Sequence, residues 1–262
     1  MPVRKPGTDL DLCTVLAGPR CMAMPRKARV RIPGYPLHLV QRGHNRGVCF
    51  HDEGEHERYL GLVAEYGAKE GCRIHAYVLM PNHVHMLLSV VDQFAATRMM
   101  RHVGQRYAQY INRRYKKTGS AWEGRFWTSI VDSDRYFFTC CKYVELNPVR
   151  AGIARHPGDF PWSSFAANAH RHASLIVRPH ELYESLGSTE LARARAYRQM
   201  FRHDIDEADL ARIRAAIRGG YPIGDEDFLA RMKRSHGIRI APGKPGRKPR
   251  AAEGVEEEAA LA

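Results

Sequence analysis

Met80-Pro81-Asn82-His83-Val84-His85-Met86-Leu87-Leu88 decides the reading of this chain. Pro81-Asn82 is turn chemistry, and the runs on either side, Arg73 to Met80 and His83 to Val90, are apolar and strand-like. Two strands joined by so short a link predict an antiparallel hairpin. Successive strand side chains point to opposite faces, so His83 and His85 emerge on the same face, where two imidazoles can grip one divalent ion. The spacing is weak by itself. With 14 histidines in 262 residues, a His-x-His arises about once by composition. A second pair, His170-Arg171-His172, reads as surface, and two packed strand histidines would carry the same spacing.

Working outward, Pro36 to Gln41 alternates like a strand. Asp52 caps a helix to about Lys69, with Tyr59, Leu60, Val63 and Tyr66 at helical spacing, and Gly71 ends it. Phe94 to about Lys117 predicts a basic helix, broken by Gly119-Ser120. Trp122 to Val131 predicts a fourth strand, and Asp134 caps a helix that runs to Leu146, where Asn147-Pro148 stops it. The order β, α, β, β, α, β, α predicts an α+β fold: a ferredoxin-like or RRM-like antiparallel sheet backed by helices. After Trp162 four short helices are expected, starting at His180, Glu190, Glu207 and Asp225. The division expected is a disordered or mis-annotated extension at 1–23 with Met24 as alternative start, a body at 24–165, an all-α module at 166–238, and a basic tail with an acidic stub at 239–262.

The 41 lysines and arginines outnumber the 28 acids. From Thr97 to Trp122 there is no acid, while Arg98, Arg101, Arg106, Arg113, Arg114, Lys116 and Lys117 fall there among Tyr107, Tyr110 and Tyr115. A single-sign block interleaved with aromatics suits phosphates and stacked bases. No apolar run is long enough for a membrane span. The six cysteines form no C-x-x-C, and Cys140-Cys141 reads as a pair of small core residues.

On the helix after Asp134, Tyr143 and Asn147 lie four residues apart and share a face. Packed across the sheet, Tyr143 would bring its phenol beside an ion held by His83 and His85, and Asn147 could add an amide oxygen. Such a donor set suits Mn²⁺ or Mg²⁺ with water and phosphate completing the shell. Spacing alone leaves Tyr143 open to a core role, with Tyr107, Tyr110, Tyr115 and Tyr136 as rival nucleophiles. It equally leaves Asn147-Pro148 open as a plain helix stop.

Met80 to His85 resembles the His-hydrophobic-His motif of the HUH single-strand DNA transposases. Lys142-Tyr143-Val144-Glu145-Leu146-Asn147-Pro148-Val149-Arg150-Ala151-Gly152 resembles their tyrosine helix. Trp122-Glu123-Gly124-Arg125-Phe126-Trp127 and Phe160-Pro161-Trp162-Ser163-Ser164 fit the same pattern, which is similar to the REP-associated tyrosine transposases from about Met24 to Ser164. Tyr197 to Arg202 and the basic Gly-Arg-Lys-Pro ending resemble the C-terminal extension of some members. The resemblance implies Tyr143 as nucleophile and His83, His85 and Asn147 as ligands of Mg²⁺ or Mn²⁺, Asn147 standing where relatives often have Gln. It implies cleavage of single-stranded DNA near a hairpin through a 5′-phosphotyrosine. With no export signal read in the sequence, a cytoplasmic, nucleoid-associated protein is expected, as monomer or homodimer. From charge, the DNA contacts expected are Arg42 and Arg46 after the first strand, Arg101, Arg106, Arg113 and Arg114 on the basic helix, and Arg125. Two other readings stand beside it: a sheet-based nucleic-acid binder without catalysis, and a metal-dependent phosphoesterase that uses water.

Overall fold

The hairpin around Pro81-Asn82 is present in the computed structural model, which describes residues 32–241. Strand β2 (Cys72–Met80) pairs antiparallel with β3 (His83–Val90), leaving Pro81 and Asn82 as the whole link. β1 (Leu37–Arg42) lies between β3 and β4 (Trp127–Ile130), antiparallel to both, so the sheet order is β2-β3-β1-β4. With helices α1 (Glu53–Lys69) and α2 (Ala95–Tyr115) interposed, this is the ferredoxin-like α+β arrangement.

The register decides what each face carries. Val40 lies opposite His85 and Arg42 opposite His83, so these four share one face with His38 and Leu87. Leu37, Leu39, Met86 and Leu88 point the other way, into a core with Tyr59, Val63, Met99, Val103 and Tyr107 of α1 and α2. The histidine face is covered by α3 (Ser133–Glu145), whose Phe137, Cys140, Tyr143 and Val144 pack with Val40, Val78 and Leu87. Two apolar layers, one on each side of the sheet, supply the burial that holds it. An irregularity between Ile74 and Ala76 keeps both layers in phase: Ile74 and Tyr77 face the α1/α2 core, while Ala76 and Val78 face α3.

The local signals for α1 are realised. The Asp52 side chain accepts from the Glu55 amide at 3.1 Å, and Gly71 follows the helix at φ +69. Two expectations need correction. The strand expected from Trp122 to Val131 is confined to Trp127–Ile130, because Gly124 takes φ +82, a left-handed conformation that breaks a strand. Trp122 makes only an isolated bridge to Gly43 and buries its indole under α1 and α2. Asn147-Pro148 does not end the helical path either. A further turn, α4 (Asn147–Arg150), follows with Pro148 at its start, a position where the missing N–H costs nothing.

Beyond the sheet come α5 (Phe165–His170), α6 (Glu181–Glu184), α7 (Glu190–Gln199), α8 (Glu207–Gly219) and α9 (Glu226–His236). Tyr197 of α7 and Ile213 of α8 enter the core that holds Tyr143, while Phe228 and Met232 of α9 enter the core of Leu37 and Tyr59. The expectations for 1–23, for Met24, and for most of the basic tail and its stub lie outside the described residues. No described helix is long and apolar enough to cross a membrane.

Candidate active site

His83 and His85 project from β3 toward α3 with ring centroids 5.0 Å apart. A third imidazole joins them. His38 of β1 is buried against His85, with His38 Nε2 and His85 Nδ1 2.9 Å apart. His83 is fixed at its other nitrogen, where Nδ1 meets the Asn82 side-chain oxygen at 2.6 Å. All three are held neutral. Burial, reinforced by Arg150, brings His38 down to about 3; burial and Arg42 bring His83 down to about 4. His85 is pushed well below the usual imidazole value by burial and then by its cationic and imidazole neighbours.

Tyr143 stands edge-on to two of these rings, 5.7 Å from His38 and 5.9 Å from His85 by centroid. The helix spacing places it there: α3 crosses the histidine face, and the Tyr143 side is its buried side. The phenol is 1 % exposed. Burial raises its pKa, while Arg150 and Arg214 pull in the opposite sense, Arg214 of α8 by hydrogen-bonding the phenol. The rival tyrosines sit elsewhere. Tyr107 is fully buried on the far side of the sheet with its hydroxyl on the Cys49 carbonyl at 2.6 Å, so it offers no stacking face. Tyr115 donates to Glu55 at 2.6 Å, Tyr110 meets Arg114 and Tyr136 meets Arg212.

Asn147 is half-buried at the start of α4 and hydrogen-bonds His83. A cation needs bare lone pairs, and His85 Nε2 is buried with no hydrogen-bond partner. Its neutral state, the adjacent His83 and the amide oxygen of Asn147 fit a divalent ion that takes mixed nitrogen and oxygen donors. Among the described residues no three His, Cys, Asp or Glu side chains gather as a metal cage. The donors on offer are therefore two imidazoles and an amide, a set that leaves room for water and phosphate oxygen.

Four residues of this neighbourhood escaped sequence reasoning: His38, Arg150, Arg214 and Glu145. Glu145 is fully buried on α3 and accepts from Ser164 Oγ at 2.5 Å, Asn168 Nδ2 at 2.9 Å and Tyr197 hydroxyl at 2.9 Å. Burial raises it to about 7, and the three donors pull it down. Ser164 in turn accepts from the Tyr77 amide at 2.8 Å. The Phe160-to-Ser164 motif therefore clamps the tyrosine helix to β2. A buried group with three donors inside a sequence motif was the signal, but its partners lie 19 to 52 residues away.

The arginines expected to meet DNA divide. Arg42 lies at the His83 end of the sheet, pairing with Glu123 at 3.4 Å and covering the Trp127 ring at 5.5 Å. Arg46 and exposed Arg125 belong to the loops at that end, where Gly43 bonds Asn82 and Glu123 bonds Arg42. The exposed arginines of α2 are on the opposite layer. Arg113 and Arg114 reach the same end, since Arg114 pairs with Asp52 at the start of α1. Arg101 lies about 18 Å back along the helix from Arg113 at ~1.5 Å per residue. The pair His170 and His172 is exposed at the end of α5.

Residues 32–155 match the family model described as IS200-like transposases. A Haemophilus influenzae protein named as a REP-associated tyrosine transposase is 24% identical over 116 residues, which is 40% of this chain and 64% of that protein. The chain thus spans just under two thirds of that relative's length. Among solved structures, a REP-associated tyrosine transposase bound to a REP hairpin is similar at 17% identity and a TM-score of 0.49, over 60% of this chain and 93% of that one. A transposase structure from Deinococcus radiodurans is similar at 17% identity and a TM-score of 0.33, over 46% of this chain and 96% of that one.

Proposed function

We propose that this chain, whose residues 32–155 match the IS200-like transposase family model, cuts and rejoins single-stranded DNA beside a hairpin through a covalent bond to Tyr143. One juxtaposition carries the reading: the Tyr143 ring lies 5.9 Å from His85 on the face that also bears His83. The phenolic oxygen attacks a backbone phosphorus, a tyrosyl–phosphorus bond forms, and the bond from phosphorus to the 3′ oxygen breaks. That oxygen takes up a proton. The products are a 5′-phosphotyrosine and a free 3′-OH, and the reverse attack rejoins strands without ATP because the ester is conserved.

Each residue has a task. Arg150 and Arg214 favour the phenolate that attack requires, against the burial that opposes it. His83, His85 and Asn147 would hold Mg²⁺ or Mn²⁺, which when bound neutralises phosphate charge and orients it for in-line attack. Because Tyr143 is 1 % exposed, a strand reaches it only when the side chains of α4 and α8 that cover it part. Arg42, Arg46, Arg113, Arg114 and Arg125 rim the His83 end of the sheet and would take the phosphates there, with Arg101 and Arg106 extending the track along α2. Residues 24–165 would supply the chemistry, and the helices of 166–238 its cover.

The test is incubation with Mn²⁺ and single-stranded hairpins taken from the gene's flanks. A denaturation-resistant protein–DNA band in wild type, lost in Tyr143→Phe, is the expected result. Cleavage without any band, surviving in Tyr143→Phe, would identify water as the nucleophile. Binding unaffected by EDTA and without cleavage would leave a non-catalytic binder.

A further inference from the structure

We propose that His38 is a positioning residue for His85: it accepts the Nδ1–H of His85, locks that ring's tautomer and direction, and so presents a bare Nε2 lone pair to the ion. This rests on the metal reading above, and His38 belongs to none of the motifs that carried that reading. The geometry is close. His38 Nε2 and His85 Nδ1 are 2.9 Å apart, the rings are 5.1 Å apart by centroid, and both are buried.

A hydrogen bond between two neutral imidazoles needs one donor and one acceptor. If His38 donated, His85 would carry its proton on Nε2, a buried N–H with no partner and no lone pair left for a cation. If His85 donates, Nε2 is a lone pair, and the unpartnered N–H moves to His38 Nδ1, the other buried ring nitrogen without a partner. His85 as donor matches the general design of metal sites, in which the remote ring nitrogen is tied to an acceptor that fixes the tautomer.

The fold makes the pairing possible. His38 and His85 stand on adjacent strands, on one face, one diagonal step apart: Val40 is opposite His85, and Leu87 is opposite His38. The Tyr143 ring stands edge-on to both, so the pair packs against the phenol.

The experiment uses the full chain in three forms: wild type, His38→Gln and His38→Phe. Long-range ¹H–¹⁵N spectra of the histidine rings report the tautomer of His85 without metal, and Mn²⁺ titration reports affinity. The Gln amide oxygen can accept at the place of Nε2, whereas Phe keeps the ring and loses the acceptor. The expected result is the Nδ1–H tautomer of His85 in wild type and His38→Gln, a mixture in His38→Phe, and Mn²⁺ affinity lower by about 10–100-fold in His38→Phe alone. An Nε2–H tautomer in wild type overturns the assignment without any variant. Equal losses in Gln and Phe, or none in Phe, overturn it as well. The Nδ1–H tautomer in a wild-type protein that binds no Mn²⁺ would sink the metal reading and leave the His38–His85 arrangement standing.

Discussion

The guanidinium of Arg150 lies 4.3 Å over the ring of Tyr143, and its Nη2 donates to the Tyr143 backbone carbonyl at 2.5 Å. The residue thus grips the proposed nucleophile twice, and it can do so because the chain makes one more helical turn after Pro148. Arg150→Ala should destabilise the fold by about 1–3 kcal/mol through the lost ring contact and the charged hydrogen bond. It should also lower covalent-adduct yield more than hairpin binding. Arg150→Lys, which keeps charge without the planar fork, should fall between. Denaturant melts and adduct gels would check both, and an adduct yield untouched by Arg150→Ala would remove Arg150 from the chemistry.

Glu145 offers a test of how the tyrosine helix is held. Replacing it with Ala removes the acceptor shared by Ser164, Asn168 and Tyr197; Ser164 and Asn168 keep second acceptors in the Tyr77 and His75 carbonyls, at 3.3 and 3.0 Å. The expected cost is at least about 1–3 kcal/mol, the range for one buried polar group left unsatisfied, here the Tyr197 hydroxyl. Ser164→Ala removes one donor and should cost about 1–3 kcal/mol on the same scale. Near-native melting of Glu145→Ala would show that the clamp is not structural.

Acid should weaken the protein through its buried imidazoles. His38 at about 3, His75 at about 4 and His83 at about 4 all titrate below the ordinary value of 6.5, chiefly because burial opposes their charged form. The unfolded chain therefore binds more protons than the folded one, and the stability these groups contribute is full above about pH 6.5 and lost as pH falls toward 3–4. Glu145 works the other way: raised to about 7, its contribution is full below the ordinary value of 4.5 and lost as pH rises through 7. Stability measured by denaturant at stepped pH should thus decline from pH 6.5 to 4, less steeply in His75→Asn. A flat profile over that window would contradict the buried neutral imidazoles.

What the sequence disclosed follows from the range of each signal. Asp52, Gly71 and Pro81-Asn82 act on residues within four positions of themselves, so the first helix and the hairpin were legible, and strand parity alone put His83 and His85 on one face. Parity does not say which strand lies beside β3 or in what register, so His38 stayed hidden although it alternates with Val40 and Arg42 in an evident strand. Tyr143 was legible as a candidate because it lies four residues from Asn147, but Arg214 reaches it from a helix position 71 residues later, about which local periodicity is silent. At Trp122-to-Val131 the aromatic and β-branched residues argued for a long strand, and the φ of Gly124 overrode them. At Tyr107 the basic neighbours suggested a stacking face, but the ring lies on the apolar side of an amphipathic helix, and the core claims it.

The split among the arginines makes the DNA path testable. If strands enter at the His83 end of the sheet, Arg42, Arg113 and Arg125 neutralise phosphates close to the chemistry, whereas Arg101 lies well back along α2. Each phosphate contact releases counterions, so affinity for a hairpin should fall linearly in log–log form with salt, and each lost contact should lower the slope by about 0.7–0.9. Replacing Arg113 and Arg125 together by Gln should reduce the slope by about 1.5 and weaken all hairpins alike, since phosphate contacts carry no sequence information. Arg101→Gln should leave the slope for a short hairpin unchanged and reduce it only for substrates with longer flanks. Arg42 needs separate treatment, because it also pairs with Glu123 and covers Trp127, so its loss mixes folding with binding. Fluorescence anisotropy at stepped salt would separate these cases. A slope that drops with Arg101→Gln on the shortest hairpin, and not with the Arg113 and Arg125 replacements, would move the binding surface from the end of the sheet to the outer face of α2.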